Sequence, residues 1–440
     1  MKIYDPDRNI ITDANALIDL PNIQKGKVHC YEDRSGDMWF GIQFRGIYHK
    51  ISSTKPFHPL GHSKKSNLNL SHYIVKSIVK DRNGTLWVGT DGGGINLLEK
   101  GSQKFRPFNA NGPDKLTDKA IIKLYQDKKG RIWIGTYLDG IYCYDGAGKL
   151  LKHYTLPGAE KEKWNNYVFD LIEDSGGNLW IATCGGGLFY LDISKEKIIQ
   201  SSFPVVAGKT QSIKPFINAL EYTSDSTLWI GTYNGLFAWN KKADTFRSFQ
   251  MSNGDFVNEV IFEVKQDKSG NIWIGTLSGL YCFKQGGKMQ RFSTEQGLSG
   301  NSVMAIEIDK KNNVWISTTK GISKFDISSG TFQNYYEYDG LPCNEYRPGA
   351  SYSDENGYIY FGGVDGLVYF LPDSITNNPV KPNLIFTSFK VFDQLITPNS
   401  KNENSILKYD INETDSIVLN YSHKSITLEF AAINFSVPEK

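Results

Sequence analysis

Short apolar segments alternate with polar turns along almost the whole chain, and the same order of segments recurs. An apolar strand such as residues 74–79 comes first, and a turn that begins with Asp and ends with Gly follows, as at residues 127–130. A second strand contains Trp-Ile-Gly-Thr, as at residues 133–136, and a glycine-rich loop then leads to a third strand and a more polar fourth strand. Asp and Gly at these positions suit a tight hairpin. The pattern predicts antiparallel four-stranded units, and because no segment keeps a 3.6-residue period, we expect few helices.

The Trp-Ile-Gly-Thr motif, or a degenerate copy of it, recurs every 42 to 49 residues. Its first residues are Trp39, Trp87, Trp133, Trp180, Trp229, Trp273, Trp315 and Tyr360. This period is the length of a β-propeller blade, which cannot bury both faces alone and therefore packs between neighbours in a ring. We predict an all-β fold with a seven-bladed propeller of four-stranded blades. A single eight-bladed ring is the alternative, but the long polar connection at residues 57–73 favours seven blades plus one outside the ring.

Both ends of the chain look cut. The first residues, Lys-Ile-Tyr-Asp-Pro, resemble the end of a third strand, so the chain is expected to start inside a blade. After a linker with three prolines, residues 385–391, 416–419 and 425–430 alternate as strands do, and they predict the start of a truncated β-sandwich. The expected domains are the end of a preceding propeller at 1–60, the seven-bladed propeller at 61–375, and a linker with the sandwich onset at 376–440.

Composition excludes some classes of function. The chain has 440 residues, a net charge of +2 and 22% charged residues, without a block of Lys or Arg, so we expect no binding of nucleic acid. Its five cysteines show no paired spacing and are predicted to be free structural thiols. No apolar run is long enough to span a bilayer, so any membrane attachment would come from segments outside this sequence.

Sequence motifs for catalysis, metals or cofactors are missing. The glycine clusters at 91–94 and 184–187 open strands rather than helices, which does not suit a phosphate-binding loop. The Asp turns lack the further carboxylates of a calcium loop, and His58 and His62 stand in a polar loop without other metal ligands. We therefore predict no catalytic residue, no metal and no cofactor.

Loops on one face of a propeller converge around the central channel, and several of them here contain residues suited to sugars. Aromatic planes can stack on sugar rings, and amide or guanidinium groups can bind hydroxyls or carboxylates. Trp164 is one of only two tryptophans outside the repeat register. The candidate ligand-binding residues are Tyr137, Trp164, Asn166, Tyr233, Asn344, Tyr346, Arg347, Phe44 and Arg45. For each aromatic residue, simple capping of a neighbouring blade is the competing interpretation.

The succession of segments resembles a known family. The repeated blades, the last blade at residues 340–367 and the sequence Ile-Thr-Leu-Glu-Phe-Ala-Ala-Ile-Asn-Phe at 426–435 are similar to the periplasmic sensor region of Bacteroidetes hybrid two-component regulators. In that family two seven-bladed propellers precede an immunoglobulin-like triple-tyrosine domain, a membrane helix, a histidine kinase, a receiver and a helix-turn-helix module. The resemblance covers essentially all of the chain. It implies that Phe44 and Arg45 lie at an inter-propeller contact.

The resemblance implies a function in sensing. We expect a non-enzymatic, periplasmic module of a membrane-anchored sensor that recognises an oligosaccharide and controls polysaccharide use. The family resemblance also implies an immunoglobulin-like identity for the C-terminal sandwich, and a homodimer through that sandwich in the full-length parent. The alternatives are a stand-alone propeller lyase or glycosidase, and a scaffold for protein interactions.

Overall fold

The structure of this protein is a computed structural model that describes residues 2–5, 10–13, 28–32, 38–43, 46–50, 56–61, 70–102, 104–108, 116, 119–201, 216–240, 242–243, 245–249, 259–284, 287–375, 383–402 and 405–433. Two compact units divide the chain, one from Lys55 to Ile375 and one formed by Met1–Thr54 together with Thr376–Lys440. The described residues contain strands and no α-helix, which confirms the all-β prediction. Short 3-10 turns occur at Lys163–Asn166, Thr294–Gln296, Glu337–Asp339, Pro372–Ser374 and Ile411–Glu413.

The N-terminal part of the second unit contains two small antiparallel sheets. Strands β1 (Lys2–Asp5) and β2 (Ile10–Asp13) pair with each other. Strands β3 (Val28–Glu32), β4 (Met38–Ile42) and β5 (Gly46–Lys50) form a three-stranded sheet with Trp39 on its central strand. The Trp39 repeat is therefore a sheet of its own.

The unit from Lys55 to Ile375 consists of seven four-stranded antiparallel sheets, numbered here as blades 1 to 7. Strand β6 (His58–Leu60) comes first, and blade 1 follows with β7 (Val75–Lys80), β8 (Leu86–Thr90), β9 (Ile95–Leu98) and β10 (Arg106–Pro107); blade 2 has β11 (Ile121–Gln126), β12 (Ile132–Thr136), β13 (Ile141–Tyr144) and β14 (Leu150–Tyr154). Blade 3 has β15 (Val168–Glu173), β16 (Leu179–Thr183), β17 (Gly187–Asp192) and β18 (Lys197–Gln200); blade 4 has β19 (Ile217–Tyr222), β20 (Thr227–Thr232), β21 (Gly235–Asn240) and β22 (Thr245–Phe249); blade 5 has β23 (Ile261–Gln266), β24 (Ile272–Thr276), β25 (Leu280–Phe283) and β26 (Met289–Phe292). Blade 6 has β27 (Val303–Ile308), β28 (Val314–Thr318), β29 (Gly321–Asp326) and β30 (Thr331–Tyr335), and blade 7 has β31 (Tyr346–Ser353), β32 (Ile359–Gly363) and β33 (Leu367–Phe370).

The ring closes through β6, which comes before blade 1 in the chain and supplies the fourth strand of blade 7. Leu60 pairs with Leu367, and Pro59 lies on the outer strand, where its missing N–H breaks no ladder. The first strands of consecutive blades contact one another, and β31 contacts β7. The ring therefore has seven blades and does not include the Trp39 sheet. The compact unit extends from Lys55 to Ile375 and includes β6, which belongs to blade 7.

Each residue of the repeated motif has a distinct structural role, as blade 2 shows. Asp127 accepts hydrogen bonds from two N–H groups of its own turn at 2.9 Å and, through Oδ2, from Trp133 Nε1 at 2.8 Å. A Cβ on Gly135 would lie 2.7 Å from Val168 of the next blade. Thr136 Oγ1 donates to the carbonyl of Gly140 at 2.9 Å. The motif therefore fixes the turn, satisfies a buried indole N–H, allows close blade packing and fixes the next loop.

The same Asp–Trp hydrogen bond recurs in three other blades. The distances from indole nitrogen to carboxylate are 2.8 Å in blade 1, 2.9 Å in blade 5 and 3.1 Å in blade 6. Blade 7 has Tyr360 at the Trp position, and its hydroxyl lies 3.4 Å from Asp354 Oδ2. These contacts lie among the buried clusters between adjacent blades, which form the core of the ring.

The C-terminal part forms a sheet in the order β35, β34, β36, with β34 at Asn383–Val391, β35 at Gln394–Leu395 and β36 at Ile426–Ile433. Two of the three expected strands are present. Residues 416–419 are not a strand, so that expectation was wrong. Ile417 and Leu419 instead pack against the buried cluster of Phe389, Val391 and Leu407.

Candidate functional site

Two kinds of loop meet on one face of the ring, which we call the upper face. One kind leads into the first strand of a blade, and the other follows the Trp strand. Backbone hydrogen bonds join them: Tyr137 N–H donates to the Ala120 carbonyl at 3.1 Å, and Tyr233 N–H donates to the Phe216 carbonyl at 3.1 Å. Because strands in a blade are antiparallel, the Asp turns lie on the opposite, lower face. Backbone hydrogen bonds thus join the two kinds of loop at Tyr137 and Tyr233, and they do not use the side chains of these two residues.

Six aromatic side chains of blades 2 to 4 cluster on the upper face, and we call them the aromatic patch. They are Tyr137, Trp164, Tyr167, Phe169, Phe216 and Tyr233. The ring centroids of Tyr137 and Tyr167 lie 4.7 Å apart, and those of Tyr167 and Phe169 lie 4.5 Å apart. Four members are between 42% and 51% exposed. A group of large apolar side chains left in water together indicates a binding surface.

Gly185 connects the two halves of the aromatic patch. A Cβ built on this glycine would lie 3.5 Å from Trp164 and 3.7 Å from Phe216. The centroids of Phe216 and Tyr233 lie 5.4 Å apart, so the contacts continue from blade 3 into blade 4. Burial raises the pKa of Tyr167 to about 12, so its hydroxyl stays neutral at physiological pH. The patch therefore offers rings and hydroxyls and has no charge of its own at this position.

The structure brings together three of the residues proposed from sequence, Tyr137, Trp164 and Tyr233. It places two others in structural contacts. Asn166 Oδ1 accepts from the N–H of Leu156 at 2.9 Å, and Asn344 Oδ1 accepts from the N–H of Glu337 at 3.0 Å. Both amide oxygens are therefore occupied by the turns that they hold.

Tyr346 and Arg347 begin the first strand of blade 7. Tyr346 is 1% exposed and packs in the core, which raises its pKa well above the ordinary value and removes its ring from the surface. Arg347 lies in a bulge of β31 and pairs with Glu345 at 3.7 Å, while no hydrogen bond from the described residues reaches its buried Nε. Phe44 and Arg45 lie outside the described residues.

Sequence reasoning did not select Phe169 and Phe216. Tyr167 and Phe216 occupy equivalent positions, since each precedes a first strand and accepts a hydrogen bond from the residue after the Trp-strand Thr. Phe169 is the bulged residue of β15, between Val168 and Asp170 in the register. Alignment of the repeats by register, rather than a search for single loop residues, would have found them.

The central channel contains buried charges in compensating pairs. Lys123 lies 2.7 Å from Asp170, and Lys265 lies 3.7 Å from Glu307. Asp170 Oδ2 also accepts from the N–H of Leu220 at 2.8 Å. This backbone N–H, on the inner edge strand of blade 4, therefore has a hydrogen-bond partner. Burial raises the pKa of Glu263 to about 8, although Lys123 and Lys265 oppose this shift. The two lysines thus pair with Asp170 and Glu307, while the raised pKa of Glu263 keeps it mostly protonated at neutral pH.

A cleft of about 1090 Å³ opens on the lower face between blades 7 and 1, lined by Tyr352, Tyr360 and Tyr369 among others. Three of its polar groups have partners, since Lys80 lies 2.7 Å from Asp354 and the Tyr352 hydroxyl donates to the Lys80 carbonyl at 3.1 Å. Among the described residues, no group of three or more His, Cys, Asp or Glu side chains could hold a metal ion. The part of the chain that the structure describes contains no helix able to cross a membrane.

Comparisons with known proteins agree with the fold. The two-component regulator propeller family matches residues 69–92, 115–138, 163–185 and 297–320, in blades 1, 2, 3 and 6. A histidine kinase P4 of Formosa agariphila is 27% identical over 398 residues, which cover 89% of this chain and 29% of the kinase. The chain thus spans less than a third of that relative.

Among solved structures, the extracellular domain of the hybrid two-component system BT3049 of B. thetaiotaomicron has a TM-score of 0.70 and 26% identity, over 94% of this chain and 54% of that one. The virginiamycin B lyase of Staphylococcus aureus has a TM-score of 0.54 and 14% identity, over 71% of this chain and 98% of the lyase, which shows a shared fold alone. The resemblance inferred from the sequence is confirmed: this chain contains two-component regulator propeller repeats and is similar to the extracellular sensor domain of a hybrid two-component system.

Proposed function

We propose that this chain is a ligand-sensing module of a hybrid two-component regulator, and that it binds an oligosaccharide on the aromatic patch without cleaving it. The observation behind the proposal is the group of half-exposed rings, Tyr137, Trp164, Phe216 and Tyr233, on one face of a propeller that is similar to sensor domains. Tyr and Trp combine a flat apolar face with a hydrogen-bonding group, which suits the faces and hydroxyls of a sugar.

In this proposal the site binds a sugar and does not cleave it. Sugar rings stack on Trp164 and Tyr137, and the hydroxyls of Tyr137 and Tyr233 bind sugar hydroxyls. Stacking and a few hydrogen bonds, offset by the freedom lost on binding, correspond to micromolar to millimolar affinity, on the order of 4–8 kcal/mol. In the full-length parent the binding event reaches a kinase across the membrane, and the C-terminal part, as the start of an immunoglobulin-like domain, provides a homodimer contact. The module lies in the periplasm.

Calorimetry with defined hexaoses of glucose, xylose, mannose and galacturonic acid tests the proposal. We expect at least one hexaose to bind, and we expect Trp164→Ala to lower the affinity for it tenfold or more. Leu151→Ala is the matched control, because Leu151 is 49% exposed on the outer strand β14, away from the patch. Chromatography of each mixture detects cleavage: shorter or unsaturated products would favour a lyase or glycosidase, and no binding across the panel would favour a protein scaffold.

A further inference from the structure

The loop that follows the Trp strand of blade 2 differs from the equivalent loops of blades 1 and 3. In all three blades the second residue of this loop has a positive φ: +103° at Gly92, +62° at Leu138 and +94° at Gly185. Only blade 2 has a side chain there, and a leucine in this backbone region is strained. The equivalent loops of blades 1 and 3 have glycine here and avoid this strain. Strained backbone often occurs at functional sites, so the side chains held by the blade 2 loop are candidates for a function.

The third residue of the loop differs as well. A Cβ would lie 2.6 Å from Ser71 Oγ at Gly93 in blade 1 and 2.8 Å from Asn165 Oδ1 at Gly186 in blade 3, so these positions are closed to side chains. Blade 2 has Asp139 at this position, with its side chain 37% exposed. A carboxylate therefore stands two residues after Tyr137, a member of the aromatic patch.

Asp139 is held in one orientation by its neighbours. The Tyr142 hydroxyl donates to Oδ2 at 2.5 Å, and the Lys119 ammonium group pairs with the same oxygen. His153 stacks on Tyr142 with ring centroids 4.0 Å apart, and its Nε2 lies 2.7 Å from the Asp139 carbonyl. Partial burial disfavours the charged form, but hydrogen bonds from Lys119 and Tyr142 keep the pKa of Asp139 below its usual value. The carboxylate is thus ionised and fixed.

The second carboxylate oxygen of Asp139 remains available. From the described residues no hydrogen bond reaches Oδ1, and His153 Nε2 lies 3.9 Å away from it. The side chain of Lys119 is 31% exposed, and one of its three N–H donors is not used on Asp139 or Tyr142. One acceptor and one donor therefore stand side by side in the loop region that also contains the exposed Tyr137.

We propose that Asp139 and Lys119 determine specificity at the oligosaccharide site by binding two adjacent hydroxyls of a sugar ring that stacks on Tyr137. One hydroxyl donates to Asp139 Oδ1, and its neighbour accepts from Lys119 Nζ. This inference rests on the proposed function and names the specificity residues within it. A site built around such paired polar groups rejects analogues that leave them without partners.

The test uses the hexaose that binds the wild-type chain in calorimetry, together with the same sugar O-methylated on its ring hydroxyls. We expect Asp139→Asn and Lys119→Met each to lower the affinity for the unmodified hexaose at least tenfold. The wild type should discriminate against the methylated sugar at least tenfold, and both variants should discriminate less than threefold. Asp145→Asn is the matched control, because Asp145 lies in a lower-face turn of the same blade and holds the N–H of Ala147.

The outcomes separate the two proposals. If Trp164→Ala weakens the hexaose while both polar variants keep wild-type affinity and discrimination, the specificity assignment is overturned and the patch proposal stands. If no hexaose binds the wild type, both fall. Thermal melts of each variant verify folding, and agreement between substitutions on two different elements excludes a local folding defect in one of them.

Discussion

The two faces of the ring follow opposite rules. On the lower face, Asp81, Asp127, Asp267 and Asp309 each hold a turn and a tryptophan through nearly identical hydrogen bonds. On the upper face, loops of the same origin present different side chains from blade to blade. On the lower face the Asp side chain fixes the turn and the tryptophan, so the same residues recur from blade to blade. On the upper face backbone hydrogen bonds join the loops at Tyr137 and Tyr233, so the side chains there can differ between blades, and we propose that the ligand binds on this face.

The largest expected contrast is between two tryptophans, Trp133 and Trp164. Trp133 is 1% exposed between blades, so Trp133→Ala should lower the free energy of unfolding by about 3–5 kcal/mol. Trp164 is 51% exposed, so Trp164→Ala should cost less than about 1 kcal/mol. Denaturant melts measure both. Equal losses would make Trp164 a structural residue and remove it from the proposed site.

The next contrast uses one aspartate from each face. Asp127→Asn should destabilise the fold by about 2–3 kcal/mol, because Asn has only one acceptor oxygen and cannot serve both the turn N–H groups and the buried Trp133 Nε1–H. Asp139→Asn should cost less than about 1 kcal/mol, since its partner Lys119 is partly exposed. Chemical denaturation of both variants at one pH makes the comparison. A loss at Asp139 as large as at Asp127 would show that the upper-face loop is also a stability element.

The channel between the faces provides a pH test. Glu263 has its pKa raised to about 8 from an ordinary value of 4.5, so its contribution to stability is full below pH 4.5 and is lost as pH rises through 8. Glu263→Gln should remove the part of the stability difference between pH 5 and pH 9 that comes from this titration, so that stability falls less over this range in the variant than in the wild type. Unfolding free energies at both pH values measure this. If the stability difference between the two pH values is the same in the variant as in the wild type, a group other than Glu263 causes it.

The smallest contrast concerns two turn positions with positive φ. Leu138→Gly should change stability by less than about 1 kcal/mol, because relief of strain is offset by a more flexible unfolded chain. Gly130→Leu, in a lower-face turn with φ of +83°, should cost about 1–2 kcal/mol. Thermal melts compare the two. If Leu138→Gly also leaves sugar affinity at the wild-type value, the strain at this loop does not serve binding.

Much of the fold could be predicted from local sequence. The Asp that starts each turn and the glycine that ends it act within a few residues, so the hairpins and the spacing of the blades are visible in the chain itself. The hydrogen bond that Trp133 donates to Asp127 was not predicted, although its six-residue spacing recurs in Asp81 and Trp87. The aromatic character of the site was also visible, through Tyr137, Trp164 and Tyr233.

The sequence by itself determined the repeat, the blade length and the all-β class, because these depend on periodic burial and on contacts between near neighbours. Only the tertiary structure decided that β6 closes blade 7, that Tyr346 is buried and that residues 416–419 form no strand. It also decided that Trp164 meets Phe216 across Gly185. The reason is physical: which strand edge is free, and which ring faces water, depends on partners that are far away in the chain.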